Sequence, residues 1–169
     1  MNLNRRSFLI SGASTGLLLG LSPLLTPLAR AAQAGATEKY EVMHTDAEWR
    51  SLLSPSAYNV LRQEGTELPY SSALNSEHRA GIFACVACSQ QLYSSKTKFD
   101  SHTGWPSFWQ PLDNAVKTRD DNTLGMTRTE VHCKRCGGHL GHVFDDGPKP
   151  TGLRYCMNGA AMKFLPGAA

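Results

Sequence analysis

Five cysteines occupy two close pairs and one single position in this chain of 169 residues. Cys85 and Cys88 form one C-x2-C pair, and Cys133 and Cys136 form the other. Pairs of this kind are typical of a tetrahedral zinc site, because each turn presents two thiolates on the same side. Two disulfide bonds are the alternative, but disulfides within C-x2-C turns are usually labile. We therefore expect one structural zinc ion with cysteine in all four positions.

Cys156 is left without a partner and lies in the segment Arg154-Tyr155-Cys156-Met157-Asn158. In an extended chain alternate side chains share a face, so Arg154, Cys156 and Asn158 would point together. A neighbouring cation favours the thiolate, which is the reactive form of cysteine. A buried and inert thiol is the alternative. The segment therefore indicates a nucleophile at Cys156.

Two histidines and a run of aromatic residues could complete such a site. His139 and His142 lie shortly before Cys156 in the sequence, and histidine is the usual proton donor near neutral pH. Additional metal ligation and ordinary structural hydrogen bonding are the alternatives. Residues 105–109 hold three aromatic side chains in a stretch without a strand pattern, which indicates an aromatic-walled pocket that includes Trp105.

The net charge of +3 is concentrated at the amino terminus. Residues 1–31 contain Arg5, Arg6 and Arg30 and no acidic residue, which leaves 14 basic and 14 acidic side chains in the rest of the chain. A formally neutral remainder has no basic patch, and this argues against nucleic-acid binding.

The amino-terminal segment has the order of a signal peptide. Residues 7–29 are uncharged, and Ala29-Arg30-Ala31 offers a cleavage site between small residues. The preceding Arg5-Arg6-Ser7-Phe8-Leu9 resembles a twin-arginine motif. An uncleaved membrane anchor is the alternative. We expect residues 1–31 to direct the folded protein through twin-arginine export machinery, with release into the periplasm, and residues 32–44 to form a flexible lead.

The remaining sequence predicts two short helices followed by a β structure. Residues 45–53 form the first helix, with Thr45 as cap and Glu48 at the capping-box position, and residues 57–63 form the second. Strands are predicted at residues 81–85, 91–93, 127–132, 142–144 and 153–158, separated by turn residues. The predicted fold is mainly β, with a small helical piece packed on an antiparallel core.

A longer set of motifs resembles the methionine-R-sulfoxide reductases, the B type of methionine sulfoxide reductase. The matching elements follow the family order from about Thr45 to Phe164, and the predicted reductase domain spans residues 45–166. They are Thr66-Glu67-x-Pro69-Tyr70, the two cysteine pairs, Lys98-Phe99-Asp100-Ser101, Gly104-Trp105-Pro106-Ser107-Phe108, Arg128-Thr129-Glu130-Val131, residues 139–148 and residues 154–158. The resemblance implies two small antiparallel sheets in a β-tent, a structural zinc ion on the four cysteines, and Cys156 as nucleophile.

The resemblance also implies a mechanism that agrees with the chemistry of these residues. Trp105, Phe144 and Arg154 are the expected substrate-binding residues for oxidised peptides or proteins. Cys156 would attack the sulfoxide sulfur and become a sulfenic acid. His142 is the expected acid, with His139 assisting and Asn158 orienting.

One position departs from the family pattern. Many members carry a second, resolving cysteine just before the Gly-Trp-Pro-Ser-Phe motif, where this chain has Thr103 preceded by His102. We therefore expect an external reductant, either a thioredoxin-like protein or a small thiol, to attack Cys156 directly. A zinc-knuckle binding protein and a related enzyme with an open metal site are the competing classes, and a monomer is the expected state.

Overall fold

The computed structural model describes residues 39–167. The predicted signal peptide and the first part of the predicted lead lie outside the described residues. Within residues 39–167, no helix has both the length and the apolar character that crossing a membrane requires.

Two short helices open the described chain. The first, α1, spans Asp46–Leu52, and Thr45 and Glu48 form the predicted capping box at its start. The second, α2, spans Pro55–Gln63 and not only residues 57–63, because Ser54 caps it and Pro55 suits the first helical turn. Its buried face, which includes Val60 and Leu61, contributes to the core.

Nine strands follow in two antiparallel sheets, which confirms the predicted fold class. They are β1 (Gly81–Cys85), β2 (Gln91–Ser94), β3 (Lys98–Phe99), β4 (Ser107–Phe108), β5 (Val116–Asp121), β6 (Arg128–Cys133), β7 (His139–Phe144), β8 (Arg154–Met157) and β9 (Met162–Pro166). The smaller sheet has the order β2-β1-β9, and the larger has the order β3-β4-β8-β7-β6-β5.

Four of these strands were not predicted, and β7 was predicted three residues too short. The missed strands are β3, β4, β5 and β9; two of them have only two residues, and β5 has the polar sequence Val-Lys-Thr-Arg-Asp-Asp. The strand expected at residues 142–144 begins at His139, so both histidines belong to β7. Gly141 interrupts the apolar pattern there, which hides the strand from a periodicity argument.

Aromatic side chains between the sheets form the centre of the core. Tyr93 stacks on Phe108 with ring centroids 4.3 Å apart, and Phe83 contacts Phe108 edge-on at 4.9 Å. Phe108 is therefore a core residue, although its segment was expected to line a pocket. The Tyr93 hydroxyl donates a hydrogen bond to the sulfur of Met157 at 3.1 Å, which fixes β8 from below.

Candidate active site

The two cysteine pairs fold into matching turns at the ends of β1 and β6. The backbone N–H of Ser89 donates to the carbonyl of Cys85 at 2.9 Å, and that of Gly137 donates to the carbonyl of Cys133 at 2.8 Å. Ser89 and Gly137 occupy equivalent positions and have φ values of 59° and 67°. This left-handed conformation closes each turn, and glycine adopts it without strain in the second.

Four sulfur atoms converge where these turns meet. The Sγ atoms of Cys85, Cys88, Cys133 and Cys136 all lie within 4.8 Å of one another. Across the turns, the Sγ atoms of Cys88 and Cys133 are 3.5 Å apart, and those of Cys85 and Cys136 are 3.8 Å apart. A disulfide needs about 2.05 Å, so these are free thiols. Four thiolates about 2.3 Å from a zinc ion would be about 3.8 Å apart, so donor set and spacing fit a tetrahedral metal ion.

Cys156 lies within β8, between β4 and β7. Its cross-strand neighbours are Ser107 on β4 and His142 on β7. Directly opposite residues of antiparallel strands have Cβ atoms only about 4.5–5.5 Å apart. The sheet therefore brings His142 alongside the thiol of Cys156.

The close approach of β7 to β8 depends on Gly141. A Cβ atom at this position would lie 2.1 Å from the carbonyl oxygen of Cys156. Any side chain at residue 141 would therefore push β7 away and separate His142 from Cys156.

A cavity of about 140 Å³ opens in front of Cys156. This volume is close to the roughly 150 Å³ of a cavity that binds one benzene molecule, so it suits a single side chain. Five predicted site residues meet here, whereas His139 and Arg154 are outside the lining. The lining consists of Thr66, Trp105, Arg128, Gly141, His142, Phe144, Cys156 and Asn158.

Arg154 lies against Phe144 and supports the aromatic wall of the cavity. Its guanidinium carbon is 4.4 Å from the centroid of the Phe144 ring. Two of its N–H groups donate to the carboxylate of Asp146, both at 2.8 Å. Phe144 is thereby held in place by a cation that is itself fixed.

The ring of His142 is held by Asp121 at the end of β5. Nε2 of His142 lies 2.7 Å from Oδ2 of Asp121, and the same oxygen accepts a hydrogen bond from Arg128 at 2.6 Å. Hydrogen bonds from Thr123, reinforced by His142 and Arg128, hold the pKa of Asp121 well below its usual range. An ionised carboxylate can only accept, so Nε2 carries the proton and Nδ1 of the neutral ring has the free lone pair.

The protonation of His142 follows from its burial. Its side chain is only 12% exposed, and burial lowers its pKa, an effect that Asp121 partly offsets and Arg128 reinforces. A histidine with a lowered pKa is neutral at pH 7, so His142 is ready to accept a proton before it donates one.

His139 takes a supporting position behind His142. Both Glu130 and His139 are 3% exposed, and Nδ1 of His139 lies 2.7 Å from Oε1 of Glu130. The other carboxylate oxygen pairs with Arg119. The rings of His139 and His142 meet edge-on with centroids 5.4 Å apart. His139 can therefore orient His142, although it does not line the cavity of Cys156.

Asn158 connects the cavity to the loop that follows α2. Its Oδ1 accepts from the N–H of Glu67 at 2.9 Å, and its Nδ2 donates to the carbonyl of Leu140 at 3.0 Å. Trp105 Nε1 donates to the carbonyl of Glu67 at 3.1 Å, and the Glu67 carboxylate accepts from the N–H of Gly159 at 2.7 Å. Glu67 thus fixes two walls of the cavity at once.

The thiol of Cys156 is protonated at rest. Burial raises its pKa, and a hydrogen bond from Thr103 and the charge of Arg154 offset this only in part. Oγ1 of Thr103 is 3.9 Å from Sγ of Cys156. Ser101 joins Thr103 (2.8 Å) to Ser107 (2.7 Å), which completes a chain of hydroxyls beside the thiol. The cation expected to favour the thiolate acts in that direction, but burial outweighs it.

Asp121, Arg128, Thr66 and Glu67 were not identified as site residues from the sequence. Thr66, Glu67 and Arg128 belong to motifs that carried the family resemblance, which is the signal that could have drawn attention to them. Asp121 lies in a polar strand and meets His142 only through the pairing of β5, β6 and β7. No local spacing indicates that contact.

Comparison with known proteins agrees with this geometry. Residues 53–166 match the SelR domain family. The peptide methionine sulfoxide reductase MsrB of Leptospira interrogans is 52% identical over 126 residues, which cover 74% of this chain and 96% of that protein. The protein of the same name from Thiobacillus denitrificans is 54% identical over 123 residues, covering 72% and 93%. The MsrB protein of Methanosarcina mazei is 50% identical over 125 residues, which cover 73% of this chain and 89% of that protein. The chain therefore belongs to the SelR domain family, together with these MsrB proteins.

Proposed function

We propose that this chain reduces the R epimer of methionine sulfoxide in peptides and proteins to methionine. The observation that carries the proposal is the cavity of one side chain's size that holds Cys156, His142, Trp105 and Phe144 together. The relatives are named peptide methionine sulfoxide reductases, and the R epimer is what the motif resemblance implies.

The cavity suits the two halves of the substrate side chain. Trp105 and Phe144 offer apolar surface to the methyl and methylene groups of methionine sulfoxide. His142 and Arg128 provide the polar part of the lining, where the sulfoxide oxygen can be accommodated. Oxidation makes the methionine side chain polar and chiral, so a cavity with one apolar and one polar part distinguishes it from methionine.

Reduction begins with a proton transfer from Cys156 to Nδ1 of His142. The thiolate attacks the sulfoxide sulfur, and His142 returns the proton to the oxygen, on which negative charge develops. Transfer of the hydroxyl to Cys156 leaves Cys156 as a sulfenic acid and releases the thioether of methionine. The sulfoxide sulfur gains two electrons and Cys156 loses two, and no other oxidant or reductant takes part in this step.

Asn158 and His139 are positioning residues in this scheme. Both amide atoms of Asn158 are already used by backbone groups, which keeps the end of β8 in register with β7. His139 keeps the ring of His142 in place from behind.

An external thiol regenerates Cys156, because residue 103 is threonine. The first thiol displaces water from the sulfenic acid and forms a mixed disulfide with Cys156. A second thiol releases the free cysteine and leaves an oxidised disulfide. Either a thioredoxin-like protein or a small thiol can supply these two electrons.

The four paired cysteines bind one structural zinc ion. Their sulfur spacing and closed, largely buried arrangement favour zinc, which prefers four thiolates in structural sites. With all four positions filled by cysteine the ion contributes stability and takes no part in the reaction. It connects the smaller sheet, through β1, to the larger sheet, through β6.

Residues 1–31 act as a twin-arginine signal peptide, so the folded, metal-loaded domain works in the periplasm. The working form of the domain is a monomer. Arg5→Lys combined with Arg6→Lys should retain the protein in the cytoplasmic fraction of a Gram-negative host, while Arg30→Lys serves as a charge-matched control. Periplasmic delivery of the double variant would contradict this part of the proposal.

The activity is tested with the separate epimers of a dabsyl-methionine sulfoxide and dithiothreitol as reductant. We expect turnover of the R epimer and none of the S epimer, and no turnover by Cys156→Ser. A Cys156→Ser protein that retains activity, or a wild type that reduces neither epimer, would overturn the assignment. The second result would favour a zinc-knuckle binding protein instead.

A further inference from the structure

Three of the six large apolar side chains that are exposed among residues 39–167 belong to segments that adjoin the wall of the Cys156 cavity. They are Leu68 (76% exposed), Tyr70 (70%) and Met126 (58%). Isolated exposed apolar residues are normal, but several at the edge of one binding site indicate an interaction surface. We call this set, Leu68, Tyr70 and Met126, the apolar rim.

One side of the apolar rim is attached directly to the cavity wall. Leu68 follows Glu67, whose backbone is hydrogen-bonded to both Trp105 and Asn158. The backbone N–H of Tyr70 donates to the carbonyl of Gly104 at 2.7 Å, next to Trp105.

This side is also rigid. Tyr70 has a φ of 63°, and its hydroxyl donates to the carbonyl of His102 at 2.9 Å. The Ser71 hydroxyl donates to the carbonyl of Leu68 at 2.6 Å. A side chain held in this way loses little conformational entropy when a ligand covers it, so the segment is prepared for binding.

The other side of the rim belongs to a groove of about 470 Å³ that contains Met126, Val143 and Leu153. Arg128 and Phe144 line both this groove and the cavity of Cys156. The groove therefore continues from the substrate site on the side of Met126, whereas Leu68 follows the cavity segment of Thr66 and Glu67.

We infer that the apolar rim binds the residues on either side of the oxidised methionine in a polypeptide substrate, with a preference for apolar neighbours. The inference rests on the proposed function, since it names the class of substrate for the same cavity. The cavity of about 140 Å³ takes only one side chain. The flanking residues of a peptide must therefore lie on the surface next to it, which is where the rim and the groove are.

Three substrates and dithiothreitol test this inference. They are N-acetyl-methionine-R-sulfoxide amide and two pentapeptides, one with leucine and one with serine on both sides of the oxidised methionine. For the wild type we expect a kcat/KM about tenfold higher for the leucine peptide than for the serine peptide, because the rim and the groove would remove part of the apolar surface of two leucine side chains from water. In Leu68→Ser and in Tyr70→Ser this ratio should fall to about one.

The control variant is Leu52→Ser, because Leu52 is 60% exposed on α1 and lies outside the rim and the groove. It should keep the ratio of the wild type. Leu68→Ser removes exposed apolar surface and keeps the backbone carbonyl that accepts the hydrogen bonds from Ser71, so its melting temperature should match that of the control.

Each contrary result has a distinct meaning. Equal kcat/KM for both peptides in an active wild type would overturn the rim inference and leave the proposed function intact. If Leu68→Ser keeps the peptide ratio of the wild type but no longer reacts with a thioredoxin reductant, the rim inference is overturned, and the rim is a docking surface for the reductant. A wild type inactive on all three substrates would refute the proposed function itself.

Discussion

Replacing Asp121 by asparagine gives the sharpest test of the proposed proton transfer. The change keeps the shape of the side chain and an oxygen that can accept from Nε2 of His142, but it removes the negative charge. His142 becomes cationic when it takes the proton of Cys156, and Asp121 stabilises that cation. Arg128 loses its charged partner in the same variant.

The size of the effect follows from how enclosed the pair is. The side chains of Asp121 and His142 are 14% and 12% exposed, so this pair is far better shielded than a surface ion pair. Loss of the negative charge should nevertheless lower kcat/KM by less than the roughly 10²–10⁴-fold that a complete general acid–base catalyst contributes, because the asparagine keeps the hydrogen bond to His142. We expect kcat/KM to fall about tenfold.

The pH dependence distinguishes a role in proton transfer from a merely structural one. The reaction starts with His142 neutral and Cys156 protonated, so kcat/KM should rise with pH through the pKa of His142 and fall through that of Cys156. Asp121 raises the pKa of His142 against the effect of burial. Without this charge the pKa falls further, and the acidic limb of the profile should move to lower pH.

The assay is kcat/KM for methionine-R-sulfoxide between pH 4 and pH 10, measured for the wild type, Asp121→Asn and Asp120→Asn. Asp120 is the exposed neighbour on β5 and gives the same change in net charge. The control should keep both the height and the position of the profile. An Asp121→Asn protein with full activity and an unmoved acidic limb would refute the proton transfer through His142.

Two further predictions concern the cysteines. Cys133→Ser should abolish zinc binding and lower the melting temperature strongly, because the free energy of metal binding in such a site contributes to the free energy of folding. Cys156→Ser is the matched control, since it removes a cysteine outside the metal site. A metal-free Cys133→Ser protein of unchanged stability would contradict the structural role of the metal. Thr103→Cys should acquire an intramolecular disulfide with Cys156 after one turnover without reductant, since Oγ1 of Thr103 lies 3.9 Å from Sγ of Cys156; mass spectrometry that finds only the sulfenic acid would show that residue 103 cannot reach the nucleophile.

The features that could be predicted from the sequence are those that depend on the spacing of residues close together in the chain. The cysteine pairs, the capping box of Thr45 and Glu48, and the position of Cys156 in a strand all depend on residues only a few positions apart. The aromatic residues at 105–109 indicated a pocket with Trp105, and the family resemblance added Phe144 as a further wall. Each of these expectations uses information that remains within a single element or motif.

What could not be predicted depends on pairing between distant strands. Asp121 reaches His142 because β5, β6 and β7 are neighbours in the larger sheet, and the polar sequence of β5 gives no strand signal. The alternation of a strand predicts Arg154 on the face of Cys156, and its charge acts on that thiol, whereas its ion pair with Asp146 and its contact with Phe144 depend on the pairing of β7 with β8. The protonated state of Cys156 likewise depends on burial, which follows only from the assembled sheet.

The position of β6 explains why a metal ion outside the Cys156 cavity would affect the rate of the reaction. This strand begins at Arg128, which shares Asp121 with His142, continues through Glu130, which holds His139, and ends at Cys133. The proposed zinc ion would hold the end of β6, at Cys133, against β1 of the other sheet, at Cys85. Loss of the ion would therefore free the strand that positions both histidines, and activity should fall in a metal-depleted protein before the fold is lost.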